Sequence, residues 1–310
     1  SLNREQRPGM IGQGVEIAKV ERIRDFYIDD RIIDETTNQG FWKSRNDYLY
    51  RIQMIHNEPD DKNIRSLMDQ FWNSMQEVAN NPSEVAVREV ARERAGTLMA
   101  QVNHTAEQFI GIQKEVNHTI ITRVDEINNI AESIRQLNVQ IKRSENVGDN
   151  PNDYYDRRDL LVENLSKMAD VTVGRSDSRE FIVFLGNVRL VQGETRAHIN
   201  TVADPANRGY VNLMWDNMID PEPVRINGGE LRGLLDLRDK DIDYQIRQIN
   251  SLVANFTDLV NEIHRDGFDL NSNTNIDFFR SLPITQNANG DYDLNNDGTP
   301  EITALFKVSG

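Results

Sequence analysis

Cysteine is absent from all 310 residues, so disulfide bonds, thiolate zinc sites and cysteine nucleophiles are excluded. No apolar run approaches the roughly 20 residues that a membrane-spanning helix needs. The chain opens with SLNREQRPGM, which contains neither an initiating Met nor a secretory signal peptide. The lack of cysteine fits a protein that leaves the cytoplasm without oxidative help, and the opening fits an excised or processed piece.

Basic residues are few for a chain of this length. There are 35 Lys and Arg against 50 Asp and Glu, which gives a formal net charge of −15. Nucleic acids and anionic lipids are bound by cation-rich patches, and we find no basic cluster, so we expect neither nucleic acid nor a membrane as a partner. Apolar residues make up only 38% and mean hydropathy is −0.62. These values favour an elongated body with a thin core.

Helical patterns dominate the first half of the chain. Residues 20–56 predict a helix interrupted near Gly40, and residues 64–78 predict a shorter one. The motif NNPSE at 80–84 has a capping Asn81, a proline suited to the first turn and a glutamate in the capping-box position. It predicts the start of a helix of about 60 residues, roughly 90 Å long at about 1.5 Å per residue.

Two stretches carry heptad patterns, in which core positions alternate in steps of three and four. We call them the first seam and the second seam; their members are Val124, Ile127, Ala131, Ile134, Asn138 and Ile141, and Ile242, Ile246, Ile249, Val253, Phe256, Val260 and Ile263. Such patterns are typical of helices packed along each other at a shallow angle. An ordinary bundle core would show them, and so would a stiff rod shaped to stack beside copies. We expect the two seams to bury each other, with Asn138 fixing the register rather than adding stability.

Between the seams the composition becomes rich in β-forming residues. FIVFLGNVRLVQG at 181–193 predicts two strands joined by a turn at Gly186 and Asn187, and shorter strands are predicted at 211–215 and 224–226. We predict an α+β fold: an elongated, mainly α rod of long antiparallel helices, a small β element and the start of an outer β-rich region. The corresponding divisions are 1–170 for the first part of the rod, 171–227 for the β element, 228–266 for the returning helix and 267–310 for the outer region.

Motifs of catalysis and cofactor binding are missing. The sequence has no G-x-S-x-G, P-loop or G-x-G-x-x-G motif, and none of its 5 histidines form a helical metal pair, so we expect no enzyme and no cofactor. One loop has the oxygen spacing of a calcium site, with candidate ligands at Asp293, Asn295, Asp297 and Glu301. An EF-hand requires Glu at its twelfth position, which here is Ala304. The loop is therefore either a smaller oxygen-lined site or an ordinary turn.

Several segments, in order along nearly the whole chain, resemble the hook-associated protein 1 family of bacterial flagella. They are GQGVEI followed by Arg22 and Asp25, FWNSMQEVANNPSEVAVRE at 71–89, INNIAESIRQLNVQI at 127–141, NDYYDRRDLL with Asp156, Arg158 and Asp159, GGELRGLLDLRD at 228–239, and NEIHRDGFDLN at 261–271 leading to DFF at 277–279. Each segment alone is a weak signal, but their number and order make the resemblance specific.

The resemblance implies a structural axial protein without catalysis, exported by the flagellar type III apparatus. It implies a ring of copies that joins the hook to the filament, in contact with hook protein and with the second junction protein. The expected location is the flagellum, either extracellular or periplasmic. Members of the family also have terminal coiled-coil segments, which the resemblance places outside these 310 residues, so the fragment is expected to be monomeric in solution.

Two alternative functions remain at this point. The chain could be another axial component, such as the second junction protein or a flagellin-like subunit, although the segment at 228–239 favours the hook-associated protein 1 family. It could also be a secreted adhesin on a helical stalk. An adhesin would carry a binding domain with exposed aromatic residues, whereas Trp42 and Trp72 fall within predicted helices and only Trp215 falls in the β element.

Overall fold

The computed structural model describes residues 26–56, 63–175, 180–216, 222–279, 285–286 and 292–293. Helices dominate this part of the chain: α1 (Phe26–His56), α2 (Ile64–Asn80), α3 (Val85–Asn146), α4 (Asn152–Met168), α5 (Gly229–Asp236) and α6 (Asp243–Arg265), with a π-helical segment at Leu237–Ile242 between the last two. With 62 residues, α3 is about 90 Å long. It is the central element of the main body, on which the other helices and the sheets pack.

The strands form small antiparallel sheets. They are β1 (Val171–Arg175), β2 (Phe181–Leu185), β3 (Val188–Gln192), β4 (Thr195–Arg196), β5 (Ile199–Ala203), β6 (Val211–Trp215), β7 (Thr285–Gln286) and β8 (Tyr292–Asp293). The first four make one sheet in the order β1-β2-β3-β4, while β5 pairs with β6 and β7 pairs with β8. Long helices with small antiparallel sheets confirm the predicted α+β class.

The predicted hairpin is present, because β2 and β3 are joined by a turn at Gly186 and Asn187. Strand β6 coincides with the predicted strand at 211–215. The strand predicted at 224–226 is wrong: the described chain has only a single bridge there, between Met214 and Pro223. Two backbone hydrogen bonds close this bridge, from the N–H of Trp215 to the carbonyl of Glu222 and from the N–H of Val224 to the carbonyl of Leu213.

The start of α3 differs from the predicted capping motif. Asn81 closes α2, since its backbone N–H donates to the carbonyl of Glu77, and α3 begins only at Val85 with no side-chain cap on Glu84. The start of α2 is capped instead, by Asn63 Oδ1 accepting from the backbone N–H of Ser66 at 2.7 Å. The predicted cap at Asn81 is therefore wrong, because the two helices are separated by a full turn and not by a single residue.

Helix α1 runs without a break through Gly40, where the sequence predicts an interruption. A Cβ on Gly40 would lie 2.0 Å from the carbonyl oxygen of Lys167. The glycine allows the backbone of α1 to approach the end of α4, and it does not end the helix. The part of the predicted helix before residue 26 lies outside the described residues.

The hydrophobic core forms one cluster along α3. Helix α2 packs against α3, and α1 packs against α4 and α5. The strands β3, β4 and β5 and helix α4 contact α3 as well, as do α5 and α6. Every other helix or sheet of the main body is therefore held directly or indirectly by α3.

Candidate assembly site

The two seams are the residues that the sequence predicts to build the rod. Every member except Ile263 is buried: Val124, Ile127, Ala131, Ile134, Asn138 and Ile141 in α3, Ile242 at the end of the π-helical segment, and Ile246, Ile249, Val253, Phe256 and Val260 in α6. The heptad pattern thus coincides with the inward faces of both helices.

The expectation that the seams bury each other is wrong. The side chain of Gln113 donates to the carbonyl of Arg238, which places the start of the second seam beside the middle of α3. Farther along α6, Phe256 packs against Phe71 of α2 with ring centroids 5.6 Å apart. Since α2 folds back along the first half of α3, α6 runs antiparallel to that half. The second seam therefore lies against a part of α3 that precedes the first seam.

The first seam has different partners. Its members face α4 and the strands β3, β4 and β5, which contact α3 in this region. Asn138 shows this directly: its Nδ2 donates to the carbonyl of Gly193 in the β3–β4 turn at 2.9 Å, and its Oδ1 accepts from Arg158 of α4 at 3.0 Å. The polar position thus joins three elements, and it does not set a register between the seams.

Ile263 departs from the prediction, because 61% of its surface is exposed. At about 100° per residue, a strict heptad repeat drifts on a straight helix, and Ile263 lies about 60° around α6 from Ile242. The last turn is covered on another side, where Asn261 bonds to the backbone of Phe279. Ile263 is therefore left outside the contact.

Two asparagines hold extended backbone against helices in the same way, through a pair of hydrogen bonds between the side-chain amide and the backbone of one residue. The amide of Asn128 donates to the carbonyl of Ile199 at 2.9 Å and accepts from its N–H at 3.0 Å. Asn261 makes the equivalent pair with Phe279, at 2.8 Å in both directions. Both asparagines are buried. Each amide thus satisfies one backbone donor and one backbone acceptor of the extended segment that it contacts.

Replacing Asn128 with aspartate should lower the free energy of unfolding by about 3 kcal/mol at pH 7, because a buried carboxylate would face the carbonyl of Ile199. The protonated acid can donate to that carbonyl, so its pKa in the folded state should be raised. The hydrogen bond from the protonated acid should therefore stabilise the folded variant at low pH. This stabilisation should be lost as the pH rises through the folded-state pKa and recovered as the pH falls. Urea unfolding between pH 7 and pH 4 measures this.

Asn129→Asp is the matched control, since the neighbouring Asn129 is exposed. This variant should unfold within about 0.5 kcal/mol of the parent. The difference between the two variants should narrow towards pH 4, and a constant difference would contradict the proposed protonation.

A buried arginine forms a polar joint where the π-helical segment meets α3 and β6. Arg238 is only 1% exposed. Its Nη1 donates at 2.8 Å to both Asn117 Oδ1 and the carbonyl of Val211, and the rest of the guanidinium pairs with Asp239. The ring of Tyr210 lies 5.7 Å from its Cζ. We call Gln113, Asn117, Tyr210, Arg238 and Asp239 the polar joint.

Gln113 and Tyr210 of the joint are hydrogen-bonded to each other as well. Gln113 Oε1 accepts from the hydroxyl of Tyr210 at 3.1 Å, and burial raises the pKa of this tyrosine. Arg208 donates to Asp243 at 3.0 Å just outside. A π-helical turn is wider than an α-turn and often marks a functional position. Here its carbonyl at Arg238 is free to accept from Gln113.

Three glycines form a close crossing of α1, α4 and α5. Besides Gly40, a Cβ on Gly233 would lie 2.5 Å from Ser44 Oγ, and a Cβ on Gly229 would lie 2.5 Å from the backbone nitrogen of Ala169. Gly229 also has a φ of +76°, which side-chain-bearing residues rarely adopt. We call Gly40, Gly229 and Gly233 the glycine crossing.

Ion pairs fasten the outer elements to α3. Arg135, Gln136 and Arg196 donate to Glu132 and hold the pKa of this carboxyl well below its usual range. Because Arg196 lies in β4, this cluster ties the sheet to the helix. Arg51 of α1 lowers the pKa of Glu115 of α3 in the same way, at 2.6 Å.

The outward side of α1 is apolar to an unusual degree. Seven large hydrophobic residues on this helix are between 38% and 70% exposed: Tyr27, Ile28, Ile32, Trp42, Leu49, Tyr50 and Met54. We call them the α1 face. Clustered exposed apolar side chains on a soluble protein commonly mark an interaction surface.

Among the described residues no group of three or more His, Asp or Glu side chains could hold a metal ion, and none of the described helices is long and apolar enough to cross a membrane. Of the calcium candidates, Asp293 is described only as backbone of β8, while Asn295, Asp297 and Glu301 lie outside the described residues. The calcium site stays a prediction.

Comparison with protein families decides the relationship. The family model described as "Flagellar hook-associated protein FlgK helical domain" matches residues 49–279, well over half of the chain. The chain belongs to this family. The resemblance read from its sequence motifs is confirmed, including the segments at 71–89, 127–141 and 228–239. The GQGVEI motif lies outside the described residues.

Individual members of the family cover most of this chain. The flagellar hook-associated protein 1 of Bacillus subtilis is 28% identical over 305 residues, which cover 90% of this chain and 60% of the relative. That of Salmonella typhimurium is 31% identical over 306 residues, which cover 96% and 54%. The chain thus spans between about half and 60% of the length of the curated relatives it matches.

A solved structure shares the fold. The flagellar hook junction protein FlgK from Burkholderia pseudomallei matches with a TM-score of 0.72 and 27% sequence identity, over 83% of this chain and 48% of that one. The arrangement of the long helices and small sheets is therefore the arrangement of this family.

The polar joint and the glycine crossing were not predicted from the sequence. Gly229, Gly233, Arg238 and Asp239 all lie in GGELRGLLDLRD, the segment that carries part of the family resemblance. The signal available was the density of glycine within a helical pattern, where glycine is costly unless two backbones approach closely. No comparable signal distinguishes Asn117 or Gln113 from exposed polar residues of a long helix.

Proposed function

We propose that this chain is the helical part of a protein that joins hook to filament in the bacterial flagellum, a structural component without catalysis. The match of the family's helical domain to residues 49–279 carries the proposal. The curated relatives bear the name flagellar hook-associated protein 1, which favours this role over that of the second junction protein or a flagellin.

The architecture suits such a role. A junction must transmit torque and bending, and a helix of 62 residues that is braced along its length by other helices resists both. The polar joint and the Asn128 pair fix the sheet of β5 and β6 to this helix by directional bonds, which hold a geometry more strictly than apolar contact alone. Stiffness is thus built into the chain as a whole.

The proposed partners are copies of the same protein in a ring, hook protein on one side and the second junction protein on the other. We propose export by the flagellar type III apparatus and a place in the flagellum, outside the cell or in the periplasm. The isolated chain should be monomeric when dilute. Light scattering at micromolar concentration should give one chain mass, 35.6 kDa, and a concentration-independent dimer would contradict this.

Deletion of the gene in the source bacterium tests the junction role. Cells should retain hooks, lose filaments and release unassembled flagellin into the medium, because flagellin would have no surface on which to polymerise. Electron microscopy and immunoblotting of the medium measure these effects. Expression of the intact gene from a plasmid should restore filaments. Filaments of normal length in the deletion strain would overturn the proposal.

A further inference from the structure

The segment that connects β6 to α5 contains the dipeptide Asn227–Gly228. In an Asn–Gly dipeptide the backbone nitrogen of the glycine can attack the side-chain amide of the asparagine, because glycine has no side chain to hinder the approach. Asparagine is one of the thermolabile residues of proteins. The chain contains one other such dipeptide, Asn289–Gly290, which lies outside the described residues.

Packing requires the glycine of the first dipeptide. A Cβ on Gly228 would lie 2.8 Å from Cγ2 of Thr37 and 3.3 Å from Cβ of Asp170. Thr37 is not free to rotate away, because its hydroxyl donates to the carbonyl of Ser166 at 2.8 Å. A larger residue at position 228 would therefore push α1 away from the start of α5. The fold thus keeps a reactive dipeptide at this position.

Asp170 holds the asparagine of this dipeptide at two points. Its Oδ1 accepts from the backbone N–H of Asn227 at 2.9 Å, and its Oδ2 accepts from Nδ2 of the same residue at 3.0 Å. Hydrogen bonds to a carboxylate are stronger than those between neutral groups. Together the two bonds fix the side chain of Asn227 relative to its own backbone, although the residue is exposed to solvent. Rotation of the side chain breaks the second bond.

The carboxylate also opposes the attack through its charge. The nitrogen that attacks is the deprotonated amide, so Gly228 must first lose its N–H proton. Asp170 packs against this glycine, and its negative charge lies close to the nitrogen that must become negative. Like charges a few ångströms apart repel each other. The bond from Nδ2 to the carboxylate also increases the electron density of the amide, which makes Cγ of Asn227 a poorer electrophile.

We propose that Asn227–Gly228 is a site of deamidation and that Asp170 keeps it unreactive in the folded chain. In the reaction a bond forms between the backbone nitrogen of Gly228 and Cγ of Asn227, and the bond from Cγ to Nδ2 breaks. Ammonia leaves with the proton of the glycine nitrogen, and water opens the cyclic imide to aspartate or isoaspartate. Either product places a second carboxylate beside Asp170, and repulsion between the two would loosen the glycine crossing.

The variant Asp170→Ala tests the proposal. The purified parent and variant are incubated in the folded state at mildly alkaline pH, and peptide mass spectrometry measures the loss of the amide at Asn227 and Asn289. In the parent, Asn227 should react much more slowly than in the same chain unfolded in urea. In the variant its rate should rise about tenfold or more, because two bonds to a charged acceptor are lost. Asn289 should keep the rate that it has in the parent.

Asp149→Ala is the matched control, since it removes an exposed carboxylate from the connection between α3 and α4. It should leave the rate at Asn227 unchanged. Asp170→Asn keeps the size of the side chain and one accepting oxygen, so its rate should lie between those of the parent and Asp170→Ala. Thermal unfolding midpoints show which variants are folded during the incubation, and Asp170→Asn decides the result if Asp170→Ala is not.

Two results would overturn the proposal. Equal rates at Asn227 in the folded and the urea-unfolded parent would show that the fold gives no protection. An unchanged rate in a folded variant of Asp170 would show that the protection does not come from this carboxylate.

Discussion

Replacing Gly40 with alanine should lower the free energy of unfolding by about 3 kcal/mol, the upper range for overpacking. The new Cβ would lie 2.0 Å from the carbonyl oxygen of Lys167 and 3.2 Å from the backbone nitrogen of Glu230. Both obstacles are backbone atoms, so no side chain can rotate away. Helix α1 would have to move off α4 and α5, which would loosen the whole glycine crossing. Urea unfolding followed by circular dichroism measures the loss.

Gly111→Ala is the matched control. Gly111 also lies inside a long helix, but apart from the adjacent backbone of that helix no atom lies within 4 Å of the position of its Cβ. There the substitution should stabilise the chain by about 0.5–1 kcal/mol, because alanine loses less backbone entropy than glycine in a helix. If both variants shifted stability in the same direction, the close approach at Gly40 would not be the cause.

Replacing Arg238 with methionine should lower the free energy of unfolding by about 2–3 kcal/mol, because the carbonyl of Val211 loses its charged donor, whereas Asp239 is 37% exposed and stays hydrated. Methionine keeps much of the length and apolar contact of the side chain but donates no hydrogen bond. Asn117 Oδ1 and the carbonyl of Val211 would lose the donor they share at 2.8 Å. Because β6 is bonded here, hydrogen exchange of the amides of β5 and β6 should quicken more than that of α2.

Arg92→Met is the matched control for Arg238→Met. Arg92 lies on the exposed side of α3, 52% accessible, and pairs with Glu89 three residues earlier. Surface pairs of this kind contribute about 0.5 kcal/mol or less. Equal losses from the two arginines would mean that the bonds of the polar joint contribute no more than a surface ion pair.

The burial of the two seams could be predicted because it depends on spacing within one helix. A residue such as Ile134 or Val253 faces inward whatever element covers it, so periodicity alone identifies it. The covering element is decided by contacts between residues far apart in the chain, and periodicity carries no information about these. The two seams were therefore predicted as inward faces but assigned to the wrong partners.

The sequence predicted the wrong role, or no role, for residue types that serve different roles in different surroundings. Glycine often interrupts a helix, and only the position of Lys167 shows that Gly40 instead allows close packing. Arg238 stands among Asp and Lys in LRDKDI, where a charged residue ordinarily faces solvent. In both cases the decisive fact is a neighbour from another element, which the local sequence does not contain.

The π-helical segment at Leu237–Ile242 has a mechanical consequence for the column formed by α5 and α6. In a regular α-helix, residues four apart rotate by about 40° with every step, so Leu234, Arg238 and Ile242 would spiral away from one another. The wider turn cancels this rotation, and all three are buried. Deleting one residue from the segment would keep both helices but rotate α6 by about a quarter turn about its axis. The apolar face of α6 would then point to solvent. The length of the π-helical segment therefore sets the angle at which α6 leaves α5.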